Sequence, residues 1–302
     1  MPIVQVILLA IVQGLAELLP VSSSAHVVVA EKLMGLDPTT PQMTLLLVML
    51  HTGTMFAVIA YFWKQWKNAY FASADAFKRF AVRAAWATGL TLALGYALMK
   101  MIEHTLFKGA PKAQIEDLFT RLDLVAPALA CAGILILIAG MREKRDAPAE
   151  LAVDSITRRP SGSVTMGQAG WMGILQGLAL PFRGLSRSGV TISAGMLTGA
   201  TKPRAERFSF AMAVIITPLA IGREVLRVLH QTHGAATTGA PTNLHDTVVK
   251  SLMGAAFAFL AGLVALKWLS NWLENGRWYL FGVYCLVASG VVWYLHFGPR
   301  HL

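Results

Sequence analysis

Long, nearly uncharged apolar runs constrain this chain most. Residues 43–62, 84–102, 124–141 and 248–269 each approach the roughly 20 residues that a helix needs to cross a bilayer. Residues 280–297 form a fifth run, and 208–221 with its flanks a shorter sixth, interrupted by Pro218. Lipid offers the backbone no hydrogen-bond partners, so spans of this kind must be helices. The expected fold is therefore an all-α integral membrane protein in one domain, 1–302, with six spanning helices. Only 14% of residues are charged, against roughly 25% in soluble chains, and the mean hydropathy is +0.56. The N-terminus lacks a basic stretch before its apolar run, so no cleaved signal peptide is expected.

The net charge of +10 would suggest nucleic acid in a soluble protein. Here the basic residues fall in short segments between apolar runs, which is the pattern of membrane topology; no nucleic-acid partner is expected. Lys64, Lys67, Lys78, Arg79 and Arg83 mark one cytoplasmic loop. Arg142, Lys144, Arg145, Arg158 and Arg159 mark another, and Lys202, Arg204 and Arg207 a third. Lys108, Lys112 and Arg121, balanced by Glu103, Glu116 and Asp117, read as external, as does the weakly charged stretch 233–243. Trp63, Trp66, Trp268, Trp272, Trp278 and Tyr279 fall at span ends, where an aromatic belt is expected. Cys131 and Cys285 lie in apolar runs and read as small buried hydrophobes.

Two segments, about 3–36 and 167–200, are apolar but broken by Gly, Pro and polar clusters. They resemble each other: Gln13-Gly14-Leu15-Ala16 aligns with Gln176-Gly177-Leu178-Ala179, and without a gap Ser23 aligns with Ser186. Each opens a half with three further spans, and an odd number of spans turns the second half over. The expectation is an inverted-topology repeat with two re-entrant helix-loop-helix hairpins. The first repeat takes 1–141, a cytoplasmic linker 142–165, and the second repeat 166–302. Hairpins entering from opposite faces can meet mid-membrane and present free N–H groups at helix N-termini, which suit phosphate.

The polar groups on these hairpins are the candidate site. Gln13 and Glu17 share a helix face, Pro20 breaks the helix, and Ser22, Ser23, Ser24 and His26 follow. The second hairpin carries Arg183, Ser186, Arg187, Ser188 and Thr191 around Gly184 and Gly189. Ionisable groups inside a membrane are costly and mark function by default, which singles out Glu17 and Arg187. A buried ion pair locking the hairpins together is the structural alternative. Arg187 suits phosphate because its planar fork donates two parallel bonds. Ser23 with His26, three residues on, has the form of a nucleophile and its base. His51 and His104 read as core or interface residues.

The segments QGLAELLPVSSSAH, residues 13–26, and GLSRSGVT, residues 184–191, resemble the two signature motifs of the undecaprenyl-diphosphate phosphatase family, linked to bacitracin resistance. The resemblance covers essentially the whole chain. It implies hydrolysis of a C55 polyprenyl diphosphate to its monophosphate at an outward-facing site in the bacterial cytoplasmic (inner) membrane, recycling the carrier lipid of cell-envelope synthesis. It implies catalytic roles for Glu17, Ser23, His26 and Arg187. A diphosphate cradle would come from Ser186, Arg187, Ser188, Thr191, Gly184 and Gly189. Mg²⁺ or Ca²⁺ would assist, held by Glu17 and Gln13. Many relatives have Glu at the position of Gln13, and the second motif usually begins Pro-Gly, whereas Pro181 and Gly184 are here separated by Phe182 and Arg183. The base is either Glu17 or His26, and His26 as direct nucleophile is a rival. The alternative function is a transporter or flippase of a polyprenyl phosphate lipid, since broken hairpins also build transporters. A homodimer is compatible with either.

Overall fold

The computed structural model describes residues 1–37, 40–106, 122–156, 163–182, 184–235, 244–274 and 277–297. Among them every regular element is an α-helix: α1 Ile3–Leu18, α2 Ser23–Leu33, α3 Pro41–Tyr70, α4 Ala74–Leu106, α5 Leu122–Ile156, α6 Met166–Ala179, α7 Arg187–Leu197, α8 Lys202–Ala235, α9 Leu244–Glu274 and α10 Trp278–Phe297. Five stretches are long and apolar enough to cross a membrane: Gln42–Tyr70, Ala74–Thr105, Asp123–Glu143, His245–Leu269 and Trp278–Phe297. The chain is a multi-pass membrane protein.

Helices run further than the apolar runs alone suggest. The basic residues expected in a loop after residue 62 ride on the ends of α3 and α4, and only residues 71–73 separate those helices. Lys and Arg are good helix formers whose long stems reach the interface, so charge does not end a helix. The expected linker likewise begins as helix, because α5 continues to Ile156. Pro218 does not interrupt α8, a 34-residue helix that passes through it; the ring costs a backbone hydrogen bond, and the surrounding turns hold. Of the aromatic belt, Trp63 and Trp268 are exposed, but Trp66 and Trp278 are buried. Trp66 Nε1 donates to Arg207 O at 3.1 Å, and Trp278 Nε1 to Ser193 Oγ at 3.1 Å. Cys285 is buried as expected, whereas Cys131 is exposed. The external-loop residues Lys108, Lys112, Glu116, Asp117 and Arg121, and also Arg183, lie outside the described residues.

Both broken segments form helix–turn–helix pairs, α1–α2 and α6–α7. Pro20 and Pro181, which lack an N–H, follow the first helix of each pair. The residue before each second helix has positive φ without being glycine: Ser22 at 66° and Ser186 at 21°. These two serines are therefore counterparts, which places Ser23 opposite Arg187 rather than Ser186. The second turn holds one more residue than the ungapped alignment allows.

The shared Gln-Gly pair has a packing reason. Gln13 and Gln176 are both buried. α1 packs on α9, and α6 packs on α4. A Cβ on Gly14 would lie 2.6 Å from Ala261 Cβ and 2.8 Å from Ala258 O; one on Gly177 would lie 3.0 Å from Thr91 O. Only glycine lets these helices come so close. Gly89, inside α4, has open space where its Cβ would be. Gly14→Ala should thus destabilise the detergent-solubilised protein by about 1–3 kcal/mol through overpacking. Gly89→Ala should be neutral or stabilising through helix propensity. Paired thermal-unfolding curves check both.

Candidate active site

The two turns bring Glu17 and Arg187 together across 170 residues of sequence. Arg187 Nη2 donates to Glu17 Oε1 at 2.5 Å, and their side chains are 27% and 13% exposed. Glu17 ends the face of α1 that also carries Gln13; Arg187 is the first residue of α7. Gln13 Nε2 donates to Glu17 Oε2 at 3.2 Å, and the Ser23 hydroxyl donates to the same oxygen. Ser23 opens α2, so both turns aim a helix N-terminus, with its partial positive charge, at one carboxylate.

Other expected residues have their side chains engaged elsewhere. Ser186 Oγ accepts from Gly189 N at 3.3 Å and caps α7. Ser188 Oγ donates to Leu19 O at 3.4 Å, tying the second hairpin to the first turn. Thr191 Oγ1 is 2.8 Å from Arg187 O and 2.5 Å from Ser209 Oγ, between α7 and α8. The two glycines are contact points: a Cβ on Gly184 would lie 2.1 Å from Val125 O, and one on Gly189 2.7 Å from Ile136 Cδ1. His26 turns away from Ser23. Its Nδ1 donates to Ser22 O at 2.8 Å, so its Nε2 accepts from the Tyr284 hydroxyl at 2.6 Å. The two rings stack at 5.7 Å.

His51, read from the sequence as a core or interface residue, belongs to the site. Its Nδ1 donates to Leu47 O at 2.8 Å, and its Nε2 faces Glu17 Oε2 at 4.0 Å. A small, half-open cleft lies here. Glu17 and Arg187 line it together with His51 and Thr54 from α3 and Thr217 from α8. An ionisable residue mid-span, with a threonine three residues on and on the same face, is the signal that could have flagged His51.

Among the described residues, no three of His, Cys, Asp and Glu gather as a metal cluster. The Gln13 carboxamide oxygen is nevertheless buried and unpartnered beside Glu17. One carboxylate and one amide oxygen fit a cation that keeps water and takes phosphate oxygens, as Mg²⁺ does.

Apolar spans enclosing an acid, a guanidinium and a hydroxyl define a polytopic membrane protein with a polar site buried among its helices. The chain belongs to the bacitracin resistance protein BacA family, which it matches over residues 6–291. It is 51% identical to undecaprenyl-diphosphatase 2 of Acinetobacter baylyi over 97% of each chain. It is 33% identical to undecaprenyl-diphosphatase of Desulfosudis oleivorans, covering 95% of this chain and 96% of that one. Its identity to undecaprenyl-diphosphatase of Acidiphilium cryptum is 32%, with 94% and 95% covered.

Removing one partner of a buried pair strands the other charge, which costs roughly 3–5 kcal/mol, whereas replacing both with apolar groups is far milder. Arg187→Met should therefore destabilise the protein by about 3 kcal/mol, and Glu17→Leu added to it should recover most of that loss. Denaturant unfolding of the single and double variants measures the difference.

Proposed function

We propose that this protein hydrolyses undecaprenyl diphosphate to undecaprenyl monophosphate and inorganic phosphate. The observation that carries the reading is the Ser23 hydroxyl donating to a carboxylate that is itself paired with Arg187. A nucleophile, its base and a phosphate-binding cation stand in one chain of contacts. The relatives named undecaprenyl-diphosphatase support the substrate.

The reaction breaks a phosphoanhydride bond, and charge spreads over the oxygens of the phosphoryl group in flight. A diphosphate entering the cleft takes Arg187 in place of Glu17. Glu17, relieved of its counter-charge, becomes the stronger base and accepts the Ser23 proton. Ser23 Oγ bonds to the terminal phosphorus as the anhydride P–O bond breaks. The bridging oxygen leaves with the lipid as the monophosphate. Water then attacks the phosphoserine and breaks its P–O bond, Glu17 returns its proton to Ser23 Oγ, and the phosphate leaves with the water's oxygen and protons. This geometry favours Glu17 over His26 as the base, since His26 holds Ser22 O and Tyr284 instead. The α7 N-terminus and Arg187 act on the charge that develops in the transition state. A Mg²⁺ or Ca²⁺ held by Glu17 and Gln13 would neutralise part of the diphosphate charge.

The same proposal includes an inverted-topology repeat with the site open to the outside of the cytoplasmic membrane. The first helix of each hairpin packs on the other half, α1 on α9 and α6 on α4. With 16, 11, 14 and 11 residues, the hairpin helices are shorter than a full span. The basic α3–α4 junction supports a cytoplasmic placement of that end.

Phosphate release from farnesyl diphosphate by the purified protein tests the chemistry. Arg187→Ala should lose at least about 100-fold in kcat/KM, the scale of one lost transition-state donor. Ser23→Ala should fall as far. Near-normal turnover in the Arg187 variant ends this mechanism, and retained turnover in the Ser23 variant moves the attack to water or His26. A chelator should suppress release, with Mg²⁺ or Ca²⁺ restoring it; indifference to the chelator removes the cation from the proposal.

A further inference from the structure

Where α3 gives way to α4, a second group of polar side chains gathers, none of which lines the Glu17–Arg187 cleft. Tyr70, the last residue of α3, is 1% exposed. Its ring stacks on Phe80 of α4 with centroids 4.2 Å apart, and Phe80 meets Phe208 of α8 edge-on at 6.3 Å. These ring contacts bring cations together. Arg83 follows Phe80 by three residues and Arg79 precedes Arg83 by four, so both share a face of α4. Arg207 stands next to Phe208, and its carbonyl oxygen accepts from Trp66 Nε1 at 3.1 Å. Arg83 and Arg207 are within electrostatic reach of the Tyr70 hydroxyl, and Arg79 is within reach of Arg83.

The group is short of an acceptor. The Tyr70 hydroxyl and Arg83 Nη1 are covered from solvent, and neither has a hydrogen-bond partner among the described residues. No carboxylate there forms an ion pair with Arg79 or Arg83. Glu143 pairs instead with Lys202 at 2.7 Å, and Glu206 lies within reach of Lys202 and Arg207. A guanidinium only donates and keeps its charge, so it calls for an anionic oxygen. The adjoining surface is apolar. Trp63, Phe71 and Phe77 are each about half exposed, with Trp63 6.3 Å and Phe77 5.6 Å from Phe71. Phe71 in turn lies 6.4 Å from Phe80, so the aromatic patch is continuous with the cations.

We propose that Tyr70, Arg79, Arg83 and Arg207 bind the phosphodiester headgroup of an anionic phospholipid, whose acyl chains lie along Trp63, Phe71 and Phe77. Phosphate oxygens supply the acceptors, and Arg83 engages them through its fork. The exposed aromatic patch selects a lipid over a free anion, because a free anion would leave it uncovered. Basic pockets between helices at the cytoplasmic membrane surface suit such headgroups, and the basic α3–α4 junction supports that placement.

The test follows thermal unfolding of the purified full-length protein in detergent. Dioleoyl phosphatidylglycerol, dioleoyl phosphatidylcholine and inorganic phosphate are titrated in separately, for wild type, Arg83→Gln, Tyr70→Phe and Lys67→Gln. Lys67 is an exposed cation near the same end of α3, and its loss lowers the charge without touching the pocket. Phosphatidylglycerol should raise the wild-type Tm to a plateau, and the other two additives should leave it unchanged. Arg83→Gln should weaken the apparent Kd by about tenfold or more, the scale of one lost charge-assisted hydrogen bond, and Tyr70→Phe by about threefold. Lys67→Gln should stay within about twofold of wild type, as expected of a solvated surface charge. Without lipid, Arg83→Gln should melt no earlier than wild type, since it removes a cation that has no partner; that curve also reports that the variant is folded. Equal stabilisation by both lipids, or a loss in Lys67→Gln as large as in Arg83→Gln, overturns the site in favour of diffuse surface charge. Stabilisation by inorganic phosphate that matches the lipid's and depends on Arg83 overturns the lipid as its ligand. An Arg83→Gln variant that melts well below wild type without lipid overturns the premise that this cation lacks a partner in the protein.

Discussion

A guanidinium and a carboxylate held inside a helical membrane bundle set the terms for the rest of this molecule. Neither charge is tolerable there alone, and the Glu17–Arg187 pair reconciles them at 2.5 Å. The two residues come from helix–turn–helix segments 170 residues apart, so the pair forms only if both are seated. The seating is enforced by glycine. Gly14 lets α1 press on α9, and Gly184 lets the second turn lie against Val125 of α5. Where the chain must swing from the first hairpin helix to the second, Ser22 and Ser186 adopt positive φ, a conformation that non-glycine residues rarely hold without support from their surroundings. Ser188 supplies part of that support through its bond to Leu19 O, which fastens one turn to the other.

The broken hairpins were legible in the sequence because Gly and Pro interrupt apolar runs too long to be loops. Glu17 and Arg187 were legible because a lone charge in such a run needs a partner. The directions of the small polar side chains were not legible. Ser186, Ser188 and Thr191 look like a phosphate cradle when written in a row. In a helix, successive residues point about 100° apart, and each of these hydroxyls finds a backbone or side-chain partner on its own bearing. His26 likewise has partners that spacing does not reveal: three residues on from Ser23, its ring bonds Tyr284 on α10. His51 was overlooked for the opposite reason. It sits alone in a span, and only the packing of α1 against α3 shows that Glu17 is its neighbour.

Register was the finer loss. The ungapped alignment paired Ser23 with Ser186, and matched QGLA segments made that pairing look secure. Backbone geometry pairs Ser22 with Ser186, because each is the positive-φ residue that launches a helix. A one-residue insertion inside a turn leaves no trace in hydrophobic periodicity, since turns have none.

That shift bears on how two similar helix–turn–helix segments can differ in the charges they carry. With the Gln-Gly pairs superposed, Glu17 corresponds to Leu180; with the helix starts superposed, Ser23 corresponds to Arg187. Two faithful copies of the first hairpin would set one carboxylate against another, and two of the second one guanidinium against another; either arrangement buries like charges with nothing to offset them. Different residues at two positions avoid the conflict: the first hairpin carries Glu17 and Ser23, and the second has Leu180 and Arg187 at the corresponding places. The acid and the hydroxyl thus come from one half of the chain and the guanidinium from the other, and neither hairpin carries all three alone.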